Sequence, residues 1–114
     1  MGTEGAAKKL TVYVDETDRF EGRPVYELLM NLLYTNKIAG VGAFRGVAGY
    51  GSDRVFHTAK MLELSTTLPI KVEAVDAAEM IESVLPEVCR IAGKGLVEVS
   101  DTTVVKCSTK DHAP

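Results

Sequence analysis

Two glycine-rich segments lie next to positive charge, and this combination of residue types can bind an anion. The first covers residues 46–52 and directly follows Arg45. The second covers residues 90–95 and contains Lys94. Backbone amides approach a ligand closely where side chains are absent, and nearby cations complete a phosphate site. Both segments are therefore candidate anion sites.

Each segment also has a purely structural explanation. Segment 46–52 has the glycine spacing of a phosphate-binding loop, but Ser52 stands where that motif has lysine. Composition alone therefore favours a tight turn at the end of a strand. In segment 90–95, we expect Gly93 to end a helix in a left-handed conformation, where cations are favoured by the helix dipole. For this second segment, the residue types alone leave both explanations open.

The sequence offers no set of side chains for catalysis. His57 is the one histidine inside the predicted domain, since His112 lies in the C-terminal tail, so no Ser-His-Asp set can be assembled. Cys89 and Cys107 lack the spacing of a CxxC pair or a metal site. We therefore expect a protein that is not an enzyme, with no catalytic or metal-binding residues.

Composition limits the classes of partner. A chain of 114 residues fits one domain, and a net charge of −3 argues against a nucleic-acid binder that works by phosphate attraction. No apolar stretch is long enough to span a membrane, and no secretory signal follows Met1. We therefore expect a cytoplasmic protein with no nucleic-acid partner and no direct membrane insertion.

Hydrophobic periodicity predicts four strands and two helices in alternation. The strands are predicted at 8–15, 42–47, 70–75 and 96–105, and the helices at 24–37 and 76–93. Asp76 is predicted to cap the second helix with Glu79, and Cys89 to be buried on that helix's apolar stripe. The connection that contains Asp15, Glu16 and Asp18 is interpreted as a solvated turn.

The predicted order of elements is that of an α+β, ferredoxin-like βαββαβ fold. Such a chain forms a four-stranded antiparallel sheet with two helices on one face. The opposite face still carries Tyr13 and Val75, and self-association is the simplest way to cover it. The domain is predicted at 8–106 between tails at 1–7 and 107–114. A long connection covers 46–69, with an irregular helix at 58–64 as one interpretation.

Several short motifs in the chain form a combination that is specific to one family. They are Tyr13, the stretch 21–26, Phe44-Arg45-Gly46, Gly49-Tyr50-Gly51, His57, Leu64-Ser65, Leu68-Pro69 and Glu73-Ala74-Val75-Asp76. Together they resemble the PII-like family known as domain of unknown function 190, and the resemblance covers roughly residues 8–105.

The resemblance implies a homotrimer with the sheets facing its centre. It implies that an adenine nucleotide (AMP, ADP or ATP) binds in clefts between subunits, and that segment 46–69 is a mobile loop that relays binding to a regulated protein. A membrane transporter or channel is one candidate for that partner. The implied nucleotide-binding residues are Arg45, Gly46, Gly49, Tyr50, Gly51, Arg90, Gly93, Lys94 and Gly95.

Two other functions fit the same sequence. One is a metal-binding trimer that resembles the CutA-type proteins, with His57 and Glu63 as ligands. The other is an interaction module whose long connection binds a partner without any ligand.

Overall fold

The computed structural model describes residues 4–51, 54–58 and 67–107. The helices are α1 (Val25–Thr35) and α2 (Ala78–Ala92). The long strands are β1 (Gly5–Asp15), β4 (Gly40–Arg45), β7 (Pro69–Asp76) and β8 (Leu96–Val104). Four two-residue strands form two small ladders: β2 (Arg19–Phe20) with β3 (Arg23–Pro24), and β5 (Ala48–Gly49) with β6 (His57–Thr58).

The four long strands form one sheet in the order β4-β7-β1-β8, and every neighbouring pair is antiparallel. Val12 in the central strand β1 lies opposite Val72 of β7 and Val97 of β8. This arrangement confirms the predicted ferredoxin-like α+β fold. It also brings the end of β1, the end of β4 and the start of β8 to the same end of the sheet.

The core lies between one face of the sheet and the two helices. Alternate residues of β1 and β7 point into it, because successive side chains of a strand face opposite ways. The helices contribute residues at three- and four-residue spacing. The buried apolar side chains of these four elements are Ala7, Leu10, Val12, Val14, Val25, Leu29, Leu33, Ile70, Val72, Ala74, Ile81, Val84, Val88, Ile91 and Ala92.

The other face of the sheet has no helix over it in the described part of the chain. Cross-strand register puts Tyr13, Lys71 and Leu96 side by side on this open face, with Phe44 beside Lys71. The rings of Tyr13 and Phe44 and the side chain of Leu96 are about half exposed. The apolar part of the open face thus lies at the end of the sheet where β1 ends.

Several boundaries differ from the prediction. β1 begins at Gly5, because residues 5–7 extend the ladder with β8. β4 spans Gly40–Arg45 rather than 42–47, because Gly40 pairs with Val75. β8 ends at Val104, which lies opposite Gly5 at the start of β1, rather than at 105. The irregular helix considered at 58–64 lies almost wholly outside the described residues.

Asp76 does not cap α2 as predicted. It is the last residue of β7, is buried, and accepts hydrogen bonds from the Ala39 amide (2.9 Å) and the Ala77 amide (2.7 Å). Its carboxylate therefore holds the turn before β4 against the end of β7, and α2 begins at Ala78 without a side-chain cap. Cys89 is exposed rather than buried, because it follows Val88 by one position and so leaves the core stripe.

No helix among the described residues is both long and apolar enough to cross a membrane.

Candidate functional site

A cleft of about 630 Å³ opens at the end of the sheet where β1 ends. Its walls come from four parts of the chain: the end of β4 with the segment after it, the end of β1 with the connection after it, the start of β7, and the turn between α2 and β8 with the first residue of β8. The cleft therefore brings the first glycine-rich segment together with the last part of the second. Of the nine residues implied by the family resemblance, seven line it: Arg45, Gly46, Gly49, Tyr50, Gly51, Lys94 and Gly95.

The segment after β4 is held in place by Pro69. The Gly46 amide donates to the Pro69 carbonyl at 2.7 Å. A Cβ atom at Gly46 would lie 2.9 Å from Cγ of the Pro69 ring, closer than real Cβ atoms come to a neighbour. The absence of a side chain at Gly46 thus lets the loop base pack on Pro69, which itself lines the cleft.

The turn after α2 places Lys94 at the cleft. The Gly95 amide donates to the Ala92 carbonyl at 2.9 Å, and Gly93 between them has φ +59° and ψ −114°. The φ is positive as predicted, but the ψ is that of a type II′ turn rather than a left-handed helix end. A Cβ at Gly95 would lie 2.8 Å from the Tyr13 carbonyl oxygen, so this turn packs directly on β1.

The connection after β1 is an ionic cluster and not the solvated turn that the sequence suggested. Lys94 Nζ lies 3.6 Å from Asp15 Oδ2 and 3.7 Å from Asp18 Oδ1. Arg45 Nη2 donates to Glu16 Oε2 at 2.8 Å. The three carboxylates are mostly buried, because the loop base and the turn after α2 both pack against this connection.

The rest of the cleft wall is apolar and aromatic. Tyr13, Phe44 and Leu96 line it from the open face of the sheet. Lys71 Nζ lies 5.2 Å from the centre of the Phe44 ring and 3.4 Å from Glu73 Oε2. Tyr13, Phe44 and Leu96 offer flat apolar surface, whereas Arg45, Lys71 and Lys94 provide positive charge in the lining of the cleft.

Tyr50 lines the cleft from the segment after β4. Its ring centroid lies 5.8 Å from that of Phe56, and the Arg54 guanidinium lies 5.4 Å from the Tyr50 ring. Tyr50 and Phe56 are more than half exposed. Tyr50 is therefore held at the cleft by contacts with residues of its own segment.

The structure does not bring Arg90 and Gly93 into the lining of the cleft. The Arg90 guanidinium lies 5.0 Å from the Phe20 ring, and Arg90 Nε donates to Glu87 Oε1 at 3.0 Å. The hydrogen bonds from Arg90 lower the pKa of Glu87 below its ordinary value. Arg90 thus fastens the β2-β3 ladder to α2 on the helical side of the molecule.

The described residues include no group of three or more His, Cys, Asp or Glu side chains arranged to hold a metal ion. Glu63 and the side chain of His57, the ligands considered for a CutA-like site, lie outside the described residues.

Sequence reasoning missed the acidic connection and the aromatic wall. Alternation in β1 already placed Tyr13 opposite the core face, and pairing with β8 puts it beside Leu96. A second signal concerned Asp15 and Lys94. Asp15 is the last residue of β1, and Lys94 comes just before β8. Because β1 pairs with β8, the two side chains lie close together. Both signals depended on knowing which strands are neighbours.

The order of elements and the sheet topology define a ferredoxin-like α+β domain. The computed structure is similar to solved structures of CPII, a nitrogen regulatory PII-like protein from Thiomonas intermedia K12 bound to ADP, AMP and bicarbonate. The TM-score is 0.64 at 21% sequence identity, over 89% of this chain and 90% of that one. A second CPII structure, bound to ADP, AMP and acetate, gives 0.61 over 90% and 91%.

The chain belongs to the DUF190 family ("Uncharacterized ACR"), whose model matches residues 7–104. A UPF0166 protein of Methanocaldococcus jannaschii is 36% identical over 90% of this chain and 95% of its own length. A UPF0166 protein of Aquifex aeolicus is 34% identical over 86% and 92%. The family resemblance noted in the sequence is thereby confirmed.

Proposed function

We propose that this protein is a PII-like regulatory protein, not an enzyme, that binds an adenine nucleotide in the cleft at the end of β1. The observation that carries the proposal is that two separate glycine-containing segments, 45–51 and 94–95, meet across one cleft. Its volume of about 630 Å³ lies in the range of roughly 300–1,000 Å³ that is usual for small-molecule sites.

The aromatic and the cationic residues of the cleft match the two parts of a nucleotide, its base and its phosphates. The aromatic wall of Tyr13 and Phe44 offers π surface on which a base can stack. Arg45 and Lys94 offer charged donors to phosphate, and charge-assisted bonds are stronger than neutral ones. The nucleotides present in the CPII structures support this choice of ligand.

We further propose that the protein is a homotrimer and that the site lies between subunits. The open face of the sheet carries Tyr13, Phe44 and Leu96, and the same residues form one wall of the cleft. A neighbouring subunit that covers this face would also close the cleft. Light scattering after size exclusion should then give about three times the 12.3 kDa subunit mass. A monomer at micromolar concentration would contradict the trimer.

Segment 46–69 starts at the cleft and ends at Pro69, which lines it as well. We propose that a bound nucleotide shifts the population of conformations of this segment and so changes its affinity for a partner protein. A membrane transporter or channel is one candidate partner, as the family resemblance implies.

Calorimetric titration of the intact protein with AMP, ADP and ATP tests the ligand. Removal of one charge-assisted phosphate bond is expected to weaken binding about tenfold or more, in Lys94→Ala and in Arg45→Ala. Lys106→Ala, which removes an exposed cation beyond β8, is the matched control. Arg90→Ala tests the remaining predicted cation, and unchanged affinity would show that Arg90 does not contribute to the phosphate site. No binding below millimolar concentration would refute the assignment.

A further inference from the structure

Glu16 contacts both ends of the long connection with one carboxylate. Its Oε2 accepts from Arg45, the last residue of β4, at 2.8 Å. Its Oε1 accepts from the Leu68 amide, one residue before β7, at 2.8 Å. The Glu16 amide also donates to the Leu68 carbonyl at 3.0 Å. One side chain therefore bridges the two ends of the connection, in addition to the direct hydrogen bond between Gly46 and Pro69.

The two partners of Glu16 differ in accessibility. The Leu68 contact continues the β1-β7 ladder by one backbone hydrogen bond, from the Glu16 amide to the Leu68 carbonyl, which helps to fix Glu16 in place. The Arg45 side chain lines the cleft and is 62% exposed, whereas that of Glu16 is 22% exposed. A ligand in the cleft can therefore reach Arg45 without reaching the Glu16–Leu68 contact.

Arg45 and Lys94, two of the cations that line the cleft, already face carboxylates. Arg45 is paired with Glu16, and Lys94 lies near Asp15 and Asp18. A phosphate that approaches these cations must compete with resident carboxylates of the same charge. Binding of an anion to Arg45 and the Glu16–Arg45 ion pair are therefore thermodynamically opposed.

We infer that Glu16 couples occupancy of the cleft to the base of the long connection, because an anionic ligand takes Arg45 from it. This inference rests on the proposed nucleotide site. When the phosphate binds Arg45, the carboxylate keeps Leu68 but loses its link to β4. The two ends of segment 46–69 are then no longer bridged by Glu16, and the ligand has changed the loop base without contacting Leu68.

The variant Glu16→Gln separates the two contacts. The amide oxygen of glutamine still accepts from the Leu68 N–H, whereas the charge that holds Arg45 is gone. Because the ligand no longer competes with an ion pair, ADP should bind about two- to fivefold more tightly than to the wild type. Glu79→Gln, which removes one exposed carboxylate in the first turn of α2, should bind ADP as the wild type does.

Two readouts distinguish coupling from a general change in structure. The gain in affinity should vanish in the Arg45→Ala background, since the competing ion pair is then already absent. In the wild type, ADP should accelerate hydrogen exchange of the Leu68 amide. The reason is that Glu16, which accepts the hydrogen bond from this amide, is then no longer held by Arg45. In Glu16→Gln, ADP should leave that exchange rate unchanged.

The outcomes separate this inference from the proposed function. If the wild type binds ADP but Glu16→Gln binds equally or less tightly, the coupling is refuted and the nucleotide site stands. A gain that persists in the Arg45→Ala background, or Leu68 exchange that ADP does not alter in the wild type, also refutes the coupling. If the wild type binds no nucleotide, the proposed function fails and this inference fails with it.

Discussion

The two ends of the β1-β8 ladder both carry ion pairs, but the pairs differ in what they connect. At the far end, Lys8 pairs with Asp101 directly across the ladder, and the Asp101 side chain is 86% exposed. At the cleft end, Glu16 and its neighbours contact the loop base and the turn after α2, and their side chains are mostly buried. The first pair joins strands that the backbone already joins.

The difference indicates that the contribution of a charged side chain to stability depends on its burial and on which segments it connects, more than on the number of ion pairs. An exposed pair between neighbouring strands gains little, since solvent screens both partners. When a carboxylate accepts hydrogen bonds from a second segment, its removal leaves the donors of that segment without an acceptor. Substitutions at the cleft end should therefore have larger effects than equivalent ones at the far end.

The largest effect is expected from Gly95→Ala. The new Cβ would lie 2.7 Å from Val14 Cγ1 and 2.8 Å from the Tyr13 carbonyl oxygen. Because the backbone of β1 cannot move without disturbing the sheet, the turn must shift. We expect a loss of about 2–3 kcal/mol in the free energy of unfolding, measured by denaturant titration.

Gly40→Ala is the matched control at the far end of the sheet. A Cβ at Gly40 would meet no heavy atom within 4 Å, and the residue lies in β4 opposite Val75. The free energy of unfolding should change by no more than about 0.5 kcal/mol. Equal destabilisation by the two substitutions would show that the cleft end is not more tightly packed than the far end.

A smaller effect is expected from Glu16→Ala. This substitution removes the acceptor of the Leu68 amide and the partner of Arg45 together. We expect a loss of about 1–2 kcal/mol in the free energy of unfolding, because a half-buried amide is left without its acceptor. Asp101→Ala removes one carboxylate from the far end and should destabilise the protein less than Glu16→Ala does. The reverse order in thermal or denaturant unfolding would contradict the comparison.

The fold was predictable because each strand or helix that buries one face has apolar residues at a regular spacing in the sequence. Leu10, Val12 and Val14 alternate in β1, and Ile81, Val84 and Val88 repeat at helical spacing in α2. Element order then permitted few topologies. Boundaries were less accurate because residues such as those at 5–7 are held by pairing with β8, which local periodicity does not report.

The site was predictable only in part. Arg45 is the last residue of β4 and Lys94 follows α2, and the family resemblance led to both. The partners of these cations depend on tertiary packing: Lys94 meets Asp15 only because β8 pairs with β1. Arg90 instead packs on Phe20, and no pattern near Arg90 in the sequence indicates that the β2-β3 ladder reaches α2.

The smallest predicted effect is on the titration of Asp101. Its hydrogen bond with Lys8, and then the Lys8 charge, lower the pKa of Asp101 below its ordinary value of 3.8. The same hydrogen bond, and then the Asp101 charge, raise the pKa of Lys8 above 10.5. By linkage, the contribution of Asp101 to stability is present above pH 3.8 and is lost as the pH falls through its lower folded-state pKa. The contribution of Lys8 is present below pH 10.5 and is lost as the pH rises through its higher folded-state pKa.

Titration of the side-chain carboxyl carbons by NMR measures this directly. In Lys8→Ala, the pKa of Asp101 should rise toward its ordinary value, because the lysine is the first cause of the shift. Lys106→Ala, which removes a cation near the end of the same ladder, should leave it unchanged. If the pKa of Asp101 were the same in all three proteins, the Lys8–Asp101 pair would not persist in solution. The far end of the ladder would then be held by the backbone alone, which would widen its contrast with the carboxylates at the cleft.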